Sequence, residues 1–366
     1  QMRDGVRQWV NDPHFNLQNH LEYTPLPEPT AQAFSDRVNS LSGQKLDFTK
    51  PLWHMQVIPN HPSGAALVLR IHHCIADGIA LVRVLLSMTA AESSESGKKD
   101  DASLAAPIRK PTPITGKVAG SLTLLWELIE AFPRMLMLPD SNTSFKRPLT
   151  GARRTAWSRP LPLETIKRIA QTHHAKINDV VLAATAGALR RYFLLHNEPV
   201  KGITFRVLVP INIRPLTGPI ELGNKVGFIY LPLPVGIDNA NERLHEVKRA
   251  MDAIKSGKEA FLSYLSLCFL GTLPQALQHS IIDIFNQNAS STMTNVPGPR
   301  DKLYFAGEAI RHMNFFGPQS GKMGVGISVF SYQDELTLGI TADAAIVPQP
   351  DIFTQCFEQE IAEWPL

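Results

Sequence analysis

Trp53, Met55 and Val57 fall on one face of an alternating run that begins at Pro51, and after the Ser63-Gly64 turn Ala65 to His73 alternates again. Period two marks half-buried strands, and two such runs around a short turn predict a hairpin. Carried through the second run, the alternation puts Leu67, Leu69, Ile71 and His73 on one face and Val68, Arg70 and His72 on the other. The period then changes. After Asp77, a good N-cap, Ile79, Val82, Leu86 and Thr89 follow at helical spacing. The stretch His72-His73-Cys74-Ile75-Ala76-Asp77-Gly78 is thus predicted at a strand-to-helix turn.

Similar patterning organises the rest of the chain. A helix is expected over Ala31 to Leu41, after prolines at 25, 27 and 29. Residues 91–117 are polar and then proline-dotted, which reads as a linker. Residues 119–138 form an apolar helical stretch broken by Pro133. Beyond it come a strand near Arg154, a helix from Leu163 to His173, and a buried helix from Asn178 to Leu189 with Asn178-Asp179 as its cap. Strands follow at Ile203–Val209 and Val226–Leu233, helix over 242–285, strands at Val325–Ser331 and Leu336–Ala342, and a last helix from Asp351 to Trp364. This is mixed α/β in two halves, 1–118 and 119–366, divided at the end of the linker.

Composition narrows the function. Lys+Arg minus Asp+Glu is 36 − 33 = +3, and no basic stripe interleaves with aromatics, so no nucleic-acid partner is expected. Three distant cysteines (Cys74, Cys268, Cys356) form no disulfide framework and fit a reducing cytosol. No metal-ligand spacing occurs among the 12 histidines, and no metal is expected. The apolar stretch Phe261 to Leu273 is too short to span a bilayer, so membrane association would be peripheral. The opening Gln-Met-Arg-Asp-Gly reads as mid-protein, with an N-terminal piece expected before it.

Histidine is the natural side chain for moving a proton near neutral pH. Asp77 suits a cap or a brace for the turn, and Gly78 suits close backbone approach. On these residues the His-His-x-x-x-Asp-Gly stretch resembles the HHxxxDG signature of the coenzyme-A-dependent acyltransferase superfamily. Pro51-Leu52-Trp53, Asn178-Asp179-Val180-Val181-Leu182-Ala183, Asn295-Val296-Pro297-Gly298-Pro299, Ser331-Tyr332 with Glu335-Leu336, and Gly339 to Asp343 narrow it. Together they resemble the bacterial wax ester synthase/diacylglycerol acyltransferase family, in order along essentially the whole chain.

The resemblance implies a two-domain, chloramphenicol-acetyltransferase-like α/β fold, with mixed sheets, helices and an active-site tunnel between the halves. It implies transfer of a long-chain acyl group from acyl-coenzyme A, as substrate and without a cofactor, to a fatty alcohol or diacylglycerol. His73 would be the general base and Asn178 the donor to the developing oxyanion. His72, Asp77, Gly78 and Asp179 would support them, with His72 open between a structural role and a partial substitute base. Asn295, Pro297, Gly298 and Ser331 would line the substrate, although Asn295 to Pro299 by itself reads as a plain proline turn. The expected setting is cytoplasmic, peripheral to the inner membrane or to lipid droplets. Two rivals stay open: a condensation-type enzyme using a carrier protein's phosphopantetheine thioester, and a non-catalytic lipid-binding relative.

Overall fold

The computed structural model describes residues 2–3, 6–7, 10–90, 140–213, 223–255, 259–319 and 323–365. The expected linker over 91–117, the helical stretch 119–138 and the boundary at 118/119 lie outside these residues. The described residues divide into two units. The first holds those through Val84 together with Gly223 and Asn224, and the second holds the rest.

In the first unit the hairpin is present as β2 (Trp53–His61) and β3 (Gly64–Ile71), and β1 (Leu21–Tyr23) adds in parallel to β2. Trp53, Met55 and Val57 stand opposite Ile71, Leu69 and Leu67, one apolar face as the alternation requires. The other face carries the polar His54, Gln56 and Arg70 beside the apolar Val68 and Ile58, and meets helix α1 (Ala31–Gly43), whose Arg37 donates through Nε to Gln56 Oε1 at 2.7 Å and through Nη2 to Glu22 at 3.2 Å. Arg70 of β3 donates to the carbonyls of Leu41 and Gln44 at 3.2 and 3.1 Å, satisfying the end of α1. Strand and helix thus fix each other, and β3 delivers the chain to the histidines. Helix α2 (Gly78–Ser87) follows directly.

The strand stops at Ile71, two residues short of the alternation. The His72 N–H goes instead to the Leu52 carbonyl at 2.9 Å, and Ile75 N–H closes a turn on His72 O at 3.0 Å. Strand parity therefore does not place His72 and His73; the turn does.

The second unit is built on a sheet in the order β4 (Arg153–Trp157), β9 (Glu335–Asp343), β8 (Val325–Tyr332), β7 (Ser291–Pro297), β5 (Phe205–Asn212) and β6 (Val226–Leu233), with Leu161–Pro162 also paired to β9. Strand β7 runs parallel to β5 and β8; the other pairs are antiparallel. Mixed sheets of this kind are what the resemblance implies.

Alternate residues of the strands, among them Val207, Leu231, Met293, Ile327, Val329, Leu338 and Ile340, enter one core with the helices. At its centre is α4 (Ile177–Leu195), buried almost all round from Asp179 to Leu189, as a helix enclosed by packing partners must be. Helices α3 (Leu163–Thr172), α5 (Ala240–Lys255) and α8 (Pro350–Ala362) pack around it, and α6 (Glu259–Leu270) lies on β6. Helix α7 (Gln275–Gln287) leads into β7, so the helical region expected over 242–285 is divided among three helices.

Candidate active site

The His72–Gly78 turn is held at several points. The His72 Nδ1 accepts the Cys74 N–H at 3.2 Å, and the Phe48 ring stands edge-on to the exposed imidazole at 5.4 Å. Asp77 is buried, caps α2 by accepting the Ala80 N–H through Oδ1 at 3.1 Å, and offers its carbonyl to Leu81 N–H at 2.9 Å. Gly78 is the first helical residue, where no Cβ crowds the cap. Cys74 is exposed.

Two residues that the sequence reading did not single out complete the turn. Gly223, with φ +95, pairs its backbone in parallel with Ala76: its N–H goes to Ile75 O at 2.7 Å, and its carbonyl accepts the Asp77 N–H at 3.3 Å. Asn224 donates from Nδ2 to the carbonyl of His73 at 3.0 Å. The Gly-Asn pair just before a β-branched strand start was the available signal, since such a pair serves backbone geometry rather than a core. Arg214, a natural partner to test against Asp77, lies outside the described residues.

His73 is half-buried, and its pKa lies below the ordinary value of 6.5. Burial is the largest cause. Asp77 opposes it, as does a hydrogen bond to the residue's own backbone; His72 lowers it, and a hydrogen bond with the Asn224 side chain raises it. The result is an imidazole that is neutral at pH 7, the form that accepts a proton. Burial also pushes the Cys74 thiol up, which keeps it a thiol rather than a nucleophilic thiolate.

In the second unit Asn178 and Asp179 are the second and third residues of α4, not its cap; the N-cap is Lys176. Asp179 is 2% exposed and reaches back to accept the Lys176 N–H at 3.0 Å, half of a capping box. Asn178 is half-buried, and its Oδ1 accepts from Asn295 Nδ2 at 2.9 Å. Asn295 is no part of a proline turn but the fifth residue of strand β7, facing α4 from the sheet. With its oxygen engaged, the Asn178 carboxamide presents its NH2 as the remaining hydrogen-bonding end.

Pro297 and Gly298 end β7 against Ser331 of β8: Pro297 is in register with Ser331, and the Gly298 N–H donates to Ser331 Oγ at 3.3 Å. A Cβ at Gly298 would lie 2.0 Å from the Ser331 carbonyl oxygen and 2.6 Å from the Phe330 ring. Backbone cannot yield as a side-chain tip does, so Gly298→Ala is expected to destabilise the protein by about 1–3 kcal/mol. A urea melt with an unchanged midpoint would contradict it. The structure therefore joins Asn178 to Asn295, joins Pro297 and Gly298 to Ser331, and gathers His72, His73, Asp77 and Gly78 in one turn.

Among the described residues no group of three or more His, Cys, Asp or Glu is placed to hold a metal ion, and no helix is long and apolar enough to cross a membrane.

Residues 3–181 match the wax ester synthase/diacylglycerol acyltransferase catalytic domain, and residues 222–364 match the WS/DGAT C-terminal domain. The probable diacyglycerol O-acyltransferase tgs1 of Mycobacterium tuberculosis is 25% identical over 98% of this chain and 81% of its own length. The putative diacyglycerol O-acyltransferase Rv0895 of the same species is 26% identical over 98% and 77%. Among solved structures, the wax ester synthase/diacylglycerol acyltransferase from Marinobacter aquaeolei VT8 superposes with a TM-score of 0.70 at 22% identity, covering 99% of this chain and 83% of that one. The first condensation domain of the CDA synthetase shares the fold at a TM-score of 0.53 and 14% identity, over 99% and 79%. The two matched regions, in this order, take in the histidine turn, the Asn178 helix start and the Asn295 strand, and the chain that carries them belongs to the wax ester synthase/diacylglycerol acyltransferase family of acyltransferases.

Proposed function

We propose that the chain transfers a long-chain acyl group from acyl-coenzyme A to the hydroxyl of a fatty alcohol or a diacylglycerol, forming a wax ester or a triacylglycerol. The observation that carries this reading is the state of His73: a half-buried imidazole in a turn held by Gly223 and Asn224, its pKa kept below 6.5 chiefly by burial and the ring therefore neutral at pH 7.

The acceptor O–H gives its proton to the unprotonated ring nitrogen of His73 as its oxygen forms a bond to the thioester carbonyl carbon. The carbonyl oxygen becomes an oxyanion, and the NH2 of Asn178 donates to it. Collapse of the tetrahedral intermediate breaks the C–S bond, and the coenzyme A thiolate recovers the proton from the imidazolium. No acyl-enzyme forms, and no cofactor is needed beyond the acyl-coenzyme A that serves as substrate. Asn178→Ala is expected to lower kcat by about 10²–10³-fold with KM little changed, because the donor acts where charge develops. A kcat within tenfold of the parent enzyme would remove Asn178 from this role.

The setting we infer is cytoplasmic, at the surface of the inner membrane or of lipid droplets. Helices α6 and α7 support it. Leu262, Leu265 and Leu270 enter the interior, whereas Phe261, Leu267, Phe269 and Leu277 are exposed. Residues 260–282 contain no Asp, Glu, Lys or Arg, a composition that suits contact of these side chains with lipid. All three cysteines are free, as a reducing compartment keeps them.

The test is incubation of the purified protein with labelled palmitoyl-coenzyme A and either hexadecanol or dioleoylglycerol. Labelled ester on one acceptor, with stoichiometric coenzyme A, is the expected result. Coenzyme A released with ester on neither acceptor overturns the reading, as does activity confined to a carrier-bound thioester.

A further inference from the structure

Resting on the assignment of His73 as the base, we propose that Asn224 is a positioning residue for it: with the Gly223 backbone it straps the histidine turn and fixes the main chain from which the imidazole projects.

Three contacts make the strap. Gly223 N–H bonds Ile75 O at 2.7 Å, Gly223 O accepts the Asp77 N–H at 3.3 Å, and Asn224 Nδ2 donates to His73 O at 3.0 Å. They bracket the turn on both sides of Cys74 and Ala76. Positive φ at Gly223 aims both of its peptide groups at the turn, a conformation that side-chain-bearing residues rarely adopt. A carbonyl oxygen has two lone pairs. At His73 one receives the Asn224 NH2. With the His73 carbonyl and the neighbouring peptides pinned, the backbone that carries the imidazole is fixed, and the ring is presented from one place. Without Asn224, the His73 peptide loses this anchor.

The groups acting on the His73 ring are Asp77 and His72 from the same turn, with Cys74 adjacent as a thiol, and Asn224 from the strap. Asn224 is the neutral one whose hydrogen bond favours the protonated ring. The sign follows. Removing it lowers the pKa of His73 further, whereas a carboxylate in its place raises it through charge attraction.

The experiment compares kcat, KM and the pH profile of kcat/KM for the parent enzyme, Asn224→Ala, Asn224→Asp, His73→Ala and His73→Ala/Asn224→Ala, with palmitoyl-coenzyme A and the better acceptor. Asn224 is exposed, so thermal midpoints of the single variants should stay near the parent value. Asn224→Ala is expected to lower kcat about 10- to 100-fold, as slight misplacement of a base does, with KM within about twofold. Its acid limb should move to lower pH, and that of Asn224→Asp to higher pH. In the His73→Ala background the Asn224 substitution should cost nothing further. A parent-like kcat or an unmoved limb for Asn224→Ala beside an inactive His73→Ala overturns the strap and leaves the base standing. Losses that multiply in the double variant do the same. A His73→Ala enzyme that still turns over removes the base, and this role with it.

Discussion

His73→Ala is expected to lower kcat by about 10²–10⁴-fold while leaving KM for acyl-coenzyme A within a fewfold, the signature of a group that acts in the transition state. The pH profile should identify the same group independently. Burial is the largest influence on His73 and pushes its pKa below 6.5, ahead of the upward pull of Asp77. The base is active when neutral, so the rate should hold at pH 7 and fall only below the ordinary histidine range. An acid limb above pH 6.5 would contradict the burial argument, and a His73→Ala enzyme within tenfold of the parent would remove the base.

Stability carries the same sign. Because the folded pKa lies under the unfolded one, the unfolded chain binds the extra proton first as pH drops. This contribution is present above the unfolded value and is lost as pH falls toward the folded one. His72→Ala should cost less activity than His73→Ala: its ring is exposed and spends Nδ1 on the Cys74 N–H, a hold on the turn rather than on a substrate.

What the chain's pattern reveals and hides about this site has a physical order. The hairpin, α2, α4 and most strands of the second unit are legible because each carries its own period of apolar residues. The end of β3 is not, since whether His72 continues the strand depends on the Leu52 carbonyl, brought there by the neighbouring strand. Strand β7 is hidden for a similar reason. Its sequence is rich in Ser and Thr and ends in Pro297-Gly298-Pro299, a turn by composition, and its extended form is imposed by parallel neighbours β5 and β8. Once β7 is a strand, Asn295 faces the start of α4 and meets Asn178, 117 residues earlier in the chain. Asn224 is the extreme case. Its partner is 151 residues away, and the Gly-Asn pair that marks a backbone role carries no sign of where that partner lies.

The largest expected loss of stability lies away from the chemistry. Glu360→Ala is expected to cost about 3–5 kcal/mol, because it leaves a buried arginine without its counter-charge. Glu360 on α8 is 4% exposed and Arg243 on α5 is 2% exposed; the Arg243 Nη2 donates to Glu360 Oε1, and Arg191 of α4 donates through Nε to Oε2 at 2.7 Å. Arg243 also donates from Nη1 to the carbonyls of Ile237 and Asp238 at 2.9 and 2.6 Å. Three helices thus meet at one carboxylate, and burial pushes the Arg243 pKa down while Glu360 holds it up.

The helices come this close because α4 has Gly187 there, where a Cβ would stand 2.3 Å from the Glu360 carboxyl carbon and 2.7 Å from Arg243 Nη2. Gly187→Ala should therefore act like a partial Glu360 deletion, despite the gain in helix propensity that alanine brings to an ordinary helical site. The charge argument makes a further demand. Removing both partners, Arg243→Met with Glu360→Leu, should cost less than Glu360→Ala alone, since no uncompensated charge stays buried, even though two carbonyls lose their donor. Urea unfolding of the three variants decides it. A Glu360→Ala loss below about 1 kcal/mol, or a double variant weaker than the single, would mean that shape rather than charge holds α4, α5 and α8 together.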